Sequence, residues 1–122
     1  MAANRHLGRI VAMQALYEYF VRSSLEEPSL VLSDITARAL SVHKENIKDT
    51  DFVKAVITGA TEKKDELDGI WLPFATNWPL EQIPLVEVSI LRLAVHELKY
   101  PYKDVPPKVA IDEAVELAKQ FG

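Results

Sequence analysis

Arg5, His6 and Arg9 stand at the entrance of the first helical stretch, and no acidic residue precedes Glu18. Arginine suits phosphate because its planar fork makes two parallel hydrogen bonds. A helix N-terminus adds free N–H groups and a partial positive charge. Arg5 and Arg9 fall on the same side of that first turn. Aromatic side chains near this end can stack on bases, a common device in single-strand recognition. Tyr17 is placed for that role as a half-exposed rim residue, whereas Tyr19 belongs to the core. The chemistry is binding of an anionic strand. The alternative is an exposed terminus whose arginines are solvated and serve solubility.

Nothing in the chain assembles into a catalytic centre. His6, His43 and His96 are scattered without metal-ligand spacing, and cysteine is absent. Disulfides, thiol chemistry and cysteine-ligated zinc are thereby excluded. No HExxH, Walker loop, GxGxxG or GxSxG pattern occurs. Gly59 and Gly69 are isolated, and helix–helix contact explains them better than phosphate cradling. No enzyme, cofactor or metal is expected. Arg92 and Glu97 interrupt an otherwise apolar helix; each is expected to snorkel or to sit in a hydrogen-bonded pair, with Glu113 and Glu116 as candidate partners. Glu87 opens the same helix, where a carboxylate suits the dipole and can equally face a partner protein.

The elements that must position these residues are helices. At 122 residues the chain is one domain, or at most two small subdomains sharing a core. Apolar residues form 48% and charged residues 26% of it, ordinary for a globular protein. A net charge of −4 argues against coating nucleic acid by general positive charge, so any such site is a local patch. The longest uncharged run, Gly69 to Leu80, holds two prolines and is far short of the roughly 20 apolar residues of a membrane helix. Arg5, His6 and Arg9 also interrupt what would be a signal-peptide core. A soluble, cytoplasmic protein with no membrane contact is expected.

Helical periodicity runs through almost the whole chain. The first helix is predicted from about Arg5 to Arg22, with a polar stripe of Gln14, Glu18 and Arg22. A second covers Ser29 to about Lys44, with Leu32, Ile35, Ala39 and Val42 inward. Asp49 or Asp51 caps a third, entering at Phe52 and running to a kink or stop at Pro73. Its expected core face is Phe52, Val53, Val56, Ile57, Ala60, Leu67, Ile70, Trp71 and Phe74. Pro79 and Pro84 bracket a short connector. A helix over Leu85–Lys99 and a closing one from Val109 follow, the latter with Ile111, Ala114, Val115, Ala118 and Phe121 inward. The fold class is all-α, with five or six helices.

In order and spacing these pieces resemble the NusB family of bacterial transcription antitermination factors. The resemblance rests on Arg5 through Gln14-Ala15-Leu16-Tyr17, Asp51-Phe52 with Gly59, and Leu67-Asp68-Gly69 with Pro73-Phe74. It continues through Val86-Glu87 to Leu98 and Val109 to Gly122. It implies two small helical bundles packed together, about residues 1–77 and 78–122, and binding rather than catalysis. The implied partners are boxA RNA of ribosomal RNA transcripts, NusE (a small-subunit ribosomal protein) and, indirectly, the RNA polymerase elongation complex. A homodimer is left open. The family's arginine-rich RNA site maps onto Arg5, His6 and Arg9. Its partner contact maps onto Glu87, with Glu81 nearby. The usual last C-terminal helix of the family would lie beyond Gly122, packing on Val88, Leu91, Ala94 and Leu98 and on Ile111, Val115 and Ala118. Two other readings are an RNA-targeting domain like that attached to some ribosomal RNA cytosine methyltransferases, and a helical protein–protein adaptor without RNA binding.

Overall fold

The computed structural model describes residues 5–75 and 77–122. They form an all-α fold of six helices and two 3₁₀ turns, without a strand among the described residues. Helix α1, His6–Ser24, is apolar on most of its circumference and becomes the central element. Helices α2 (Leu32–Val42), α3 (Thr50–Glu62), α5 (Leu85–Lys99) and α6 (Pro107–Phe121) pack around it, while α4 (Lys64–Trp71) lies against α3 and α5. Val11, Ala12, Met13, Leu16 and Phe20 of α1 meet Phe52, Val53, Val56 and Ile57 of α3 and Leu93 of α5 in one buried cluster. Burial of these side chains, each contributing about 1.5–3 kcal/mol, is the main source of stability. The polar stripe of α1 behaves as its spacing requires: Arg22 pairs with Glu18 at 2.8 Å, and Arg38 of α2 reaches the same carboxylate.

Several boundaries differ from the periodic reading. Helix α2 starts at Leu32 because the chain after Pro28 is first occupied by a turn, with Leu30 N–H bonded to the Glu27 carbonyl and Val31 extended. Its last residue, Val42, is exposed, and Leu40 takes the inward place. Asp49, not Asp51, caps α3, accepting the Phe52 N–H at 3.0 Å. The long third helix is broken at Lys63, whose backbone leaves the helical region. That break turns Leu67 and Trp71 into the core and leaves Ile70 and Phe74 outside, Phe74 being 87% exposed. Helix α6 is rotated relative to expectation. Ala110 and Leu117 are buried, and Ile111 and Val115 face out at 49% and 47% exposure. Leu98 of α5 and Val109 of α6 are exposed as well, whereas Val88 is fully internal.

Gly59 fulfils its expected role at a helix contact, and Gly69 does not, since a Cβ there would meet open space. A Cβ on Gly59 would stand 1.9 Å from Nε2 of His96, so α3 and α5 approach this closely only because the glycine has no side chain. The His96 ring is buried, with Nδ1 lacking a hydrogen-bond partner among the described residues. Burial first, and then the Lys63 ammonium, push its pKa below the ordinary histidine value. We expect Gly59→Ala to cost about 1–3 kcal/mol through overpacking. That outweighs the gain of up to about 1 kcal/mol that alanine brings to a helix interior. Adding His96→Ala should recover part of the loss. Thermal melts of the four-member cycle check this; strictly additive losses would mean that the ring swings aside without strain.

Candidate nucleic-acid and partner interface

The N-terminal turn of α1 sits where α3, α5, α6 and the loop before α6 converge. Arg5 Nε and Nη2 donate to Asp49 Oδ2 at 3.3 and 3.1 Å, and its guanidinium lies 5.3 Å from the Phe52 ring and 5.5 Å from that of Tyr102. Asp49 thus caps α3 and anchors the start of α1 with the same carboxylate. Burial pushes that carboxyl's pKa up, but the Phe52 N–H, Arg5 and the nearby Lys103 ammonium outweigh it and hold the value below the ordinary aspartate range.

Arg9 is 2% exposed. Its Nε and Nη2 donate to the two carboxylate oxygens of Glu97 at 2.9 and 2.8 Å, and its guanidinium lies 5.0 Å from the Phe52 ring centre. Nη1 stands 3.9 Å from Glu113, whose other carboxylate oxygen lies 2.8 Å from Nδ1 of His6. The shared face of Arg5 and Arg9 is therefore real, but it points into the protein. Neither side chain is solvated, and neither presents an open fork to solvent, because carboxylates and the Phe52 face already occupy it. His6 remains partly exposed, and Tyr17 is 43% exposed, while Tyr19 packs against the core. His6 and Tyr17 share one stripe of α1, eleven residues or about 16 Å apart along the axis.

The fold adds basic and aromatic groups that spacing in the chain gave no means of finding. Lys48 lines a small recess with Arg5 and Asp49, and the Lys103 ammonium lies 5.8 Å from the centre of the Tyr102 ring. Arg5, Lys48, Lys103 and Tyr102 thereby gather at one end of an acidic molecule. Only a fold that brings the α2–α3 and α5–α6 loops to the start of α1 makes this cluster.

Arg92 is buried and paired, as expected of a charge on an apolar helix, but with a different partner. Its Nε and Nη2 bind Asp68 of α4 at 2.9 and 2.7 Å, and neither Glu113 nor Glu116 takes part. Asp68 also accepts the Trp71 indole N–H at 3.0 Å, and the Phe20 ring lies 4.4 Å below the guanidinium. Glu97 is likewise internal, being the partner of Arg9.

Glu87 is exposed in the first turn of α5, and Glu81 is exposed in the 3₁₀ turn Leu80–Gln82. Neither forms a salt bridge among the described residues. Glu87 stands at a cavity of about 470 Å³ walled by Trp71, Trp78, Ile83, Pro84 and Leu91. No group of three or more His, Asp or Glu among the described residues is placed to hold a metal ion.

The described residues thus form an all-α scaffold with a cation–aromatic end, carboxylates without a salt bridge on a second face, and buried ion pairs between them. Residues 6–122 match the NusB family. The transcription antitermination protein NusB of Dehalococcoides mccartyi (strain CBDB1) is 36% identical over all of this chain and 80% of its own length. That of Oleidesulfovibrio alaskensis is 38% identical over 98% of this chain and 77% of its own. A solved structure of T. maritima NusB superposes with a TM-score of 0.82 at 28% identity, covering 100% of this chain and 81% of that one. The chain belongs to the NusB family, whose members are transcription antitermination factors and not enzymes. No helix of the described residues is long and apolar enough to cross a membrane.

Proposed function

We propose that this protein binds boxA-type single-stranded RNA of ribosomal RNA transcripts jointly with NusE, and so helps RNA polymerase pass terminators. The observation that carries the RNA half is the gathering of Arg5 and Lys103 at Tyr102 near the start of α1, with Lys48 beside Arg5 and with His6 and Tyr17 along the same helix. Lysines supply mobile phosphate contacts, and the exposed Tyr17 ring offers a stacking surface. Arg5 and Arg9 then act chiefly by fixing the turn that presents His6, with Arg5 at the edge of the phosphate-binding cluster. The exposed carboxylates Glu81 and Glu87 supply the partner face.

One observation favours the adaptor reading instead: the carboxylates of Asp49 and Glu97 already hold the two arginines. Titrating a boxA oligoribonucleotide and a scrambled control against the protein, with and without NusE, separates the two. The expected result is tighter binding of boxA than of the control when NusE is present. Its affinity should fall with salt, with a log–log slope of about 0.7 per phosphate contacted. Binding of NusE with no RNA binding at any salt concentration would leave the adaptor reading standing.

A further inference from the structure

Of the buried titratable side chains among the described residues, Arg5, Arg9, Asp68, Arg92 and Glu97 are held in ion pairs, and His96 is not. Its Nδ1 has no hydrogen-bond partner there, and its Nε2 fills the space that a side chain on Gly59 of α3 would need. Lys63, at the break between α3 and α4, opposes a proton on the ring, and Glu66 of α4 favours one. Glu66 is already taken by the Lys99 ammonium at 2.9 Å and by the Tyr100 hydroxyl. Lys63 and Lys99 stand 4.8 and 5.8 Å from the Tyr100 ring, whose centre is 5.4 Å from that of His96. Next along α5, Glu97 belongs to Arg9 of α1, and Glu113 of α6 lies 3.9 Å from the same guanidinium. Every carboxylate in this neighbourhood thus has a cation of its own. A charged imidazole has to leave Gly59 to reach water.

We propose that His96 is an acid-sensitive latch between α3 and α5. On protonation the ring leaves the Gly59 contact for water, the two helices part at this level, and the adjoining Glu97–Arg9 anchor of α1 loosens. His96 meets α3 and Glu97 meets α1, so a movement of α5 that carries the first outward also disturbs the second. The consequence for RNA rests on the reading that the start of α1 contacts the strand; the latch itself does not.

Burial and Lys63 hold the ring below the ordinary histidine value. Between that lowered value and the ordinary one, the opened chain binds a proton that the closed chain refuses, so stability falls as the pH drops through the window. An opened histidine of ordinary pKa, about 6.5, is roughly nine-tenths protonated at pH 5.5. That bounds the gain in opening at about tenfold relative to pH 7.5. Glu18, Glu27, Asp49 and Glu66, all held below their ordinary values by partners, lose stability only below about pH 5.

Amide hydrogen exchange of the whole protein at pH 7.5 and 5.5, corrected for intrinsic rates, reads the latch. Protection should fall by up to about tenfold around Gly59, around His96 and in the first turn of α1, while α2 changes little. His96→Leu and His96→Gln, which cannot titrate there, should lose this response, and His6→Gln and His43→Gln should keep it. Equal protection of the wild type at the two pH values, or a response that survives in the His96 variants, would overturn the latch. Where neither His96 variant folds, nuclear magnetic resonance titration of the wild-type ring signals decides. A His96 signal that titrates at or above the ordinary value would overturn the proposal, and one below it, moving together with the α3 amides, is the expected result.

The boxA affinity of the wild type relative to His96→Leu, measured with NusE, should drop by up to about tenfold over the same interval. An unchanged ratio beside a clear exchange response would overturn the coupling to Arg9. No boxA binding by either protein at pH 7.5 would overturn the RNA reading and leave the latch standing on the exchange data.

Discussion

Arg9→Ala should unfold far more easily than the wild type, by about 3–5 kcal/mol, because it strands Glu97 as a buried carboxylate without a counter-charge. Glu97 is 3% exposed and takes both its ion-pair hydrogen bonds from Arg9. A domain of this size has only about 5–15 kcal/mol of net stability, so the loss is a large fraction of the whole. The diagnostic comparison is the double variant Arg9→Met with Glu97→Leu. Replacing both charges by apolar groups of similar volume should cost much less than the sum of the two single losses. Urea unfolding followed by circular dichroism measures each term. A single-variant loss under about 1 kcal/mol, the range of exposed pairs, would show that water reaches the pair and that Arg9 is available to a ligand.

The second large effect is expected at Asp68. Its carboxylate holds the Arg92 fork and the Trp71 indole N–H together, joining α4 to α5. Asp68→Ala leaves a guanidinium and an indole donor unpaired in the interior and should cost about 3–5 kcal/mol. Asp68→Asn keeps an acceptor for Trp71 but loses the charge, and should fall between the wild type and Asp68→Ala. Since Trp71 forms the floor of the cavity beside Glu87, Asp68→Ala should also shift the tryptophan emission of the folded protein. Chemical denaturation and emission spectra of the two variants check both statements, and equal losses for Asn and Ala would place the effect in the charge alone.

What the chain discloses is its local physics. Pro84 before an apolar period sets α5 at Leu85–Lys99, and an aspartate three residues before Phe52 supplies the cap of α3. Gly59 reads as a close helix contact because nothing else calls for a glycine there. Tertiary choices are not written in the same way. Helix α6 carries two adjacent apolar stripes, and periodicity cannot say that Ala110 and Leu117 go inward while Ile111 and Val115 go outward. The helix from Phe52 reads as continuous because Lys63 and Lys64 are good helix formers, and only packing of Leu67 and Trp71 turns the chain there. The charges show the limit most clearly. Arg5, Arg9 and Arg92 find their carboxylates 44, 88 and 24 residues away, so their spacing gives the face they occupy but not what covers it. The cluster of basic residues at the helix entrance is legible from spacing; the acids that hold Arg5 and Arg9 are supplied only by the fold.

The start of α1 as the RNA contact is tested most directly by photo-crosslinking a boxA oligoribonucleotide bearing 4-thiouridine to the NusE complex, and mapping the attached peptides by mass spectrometry. The expected attachments lie between His6 and Tyr17 and in the loops carrying Lys48, Tyr102 and Lys103. Tyr17→Ala should remove the α1 crosslink while leaving the melting temperature nearly unchanged. Crosslinks confined to α2, α4 or the outer face of α6, with the start of α1 and both lysine loops unlabelled, would contradict this assignment.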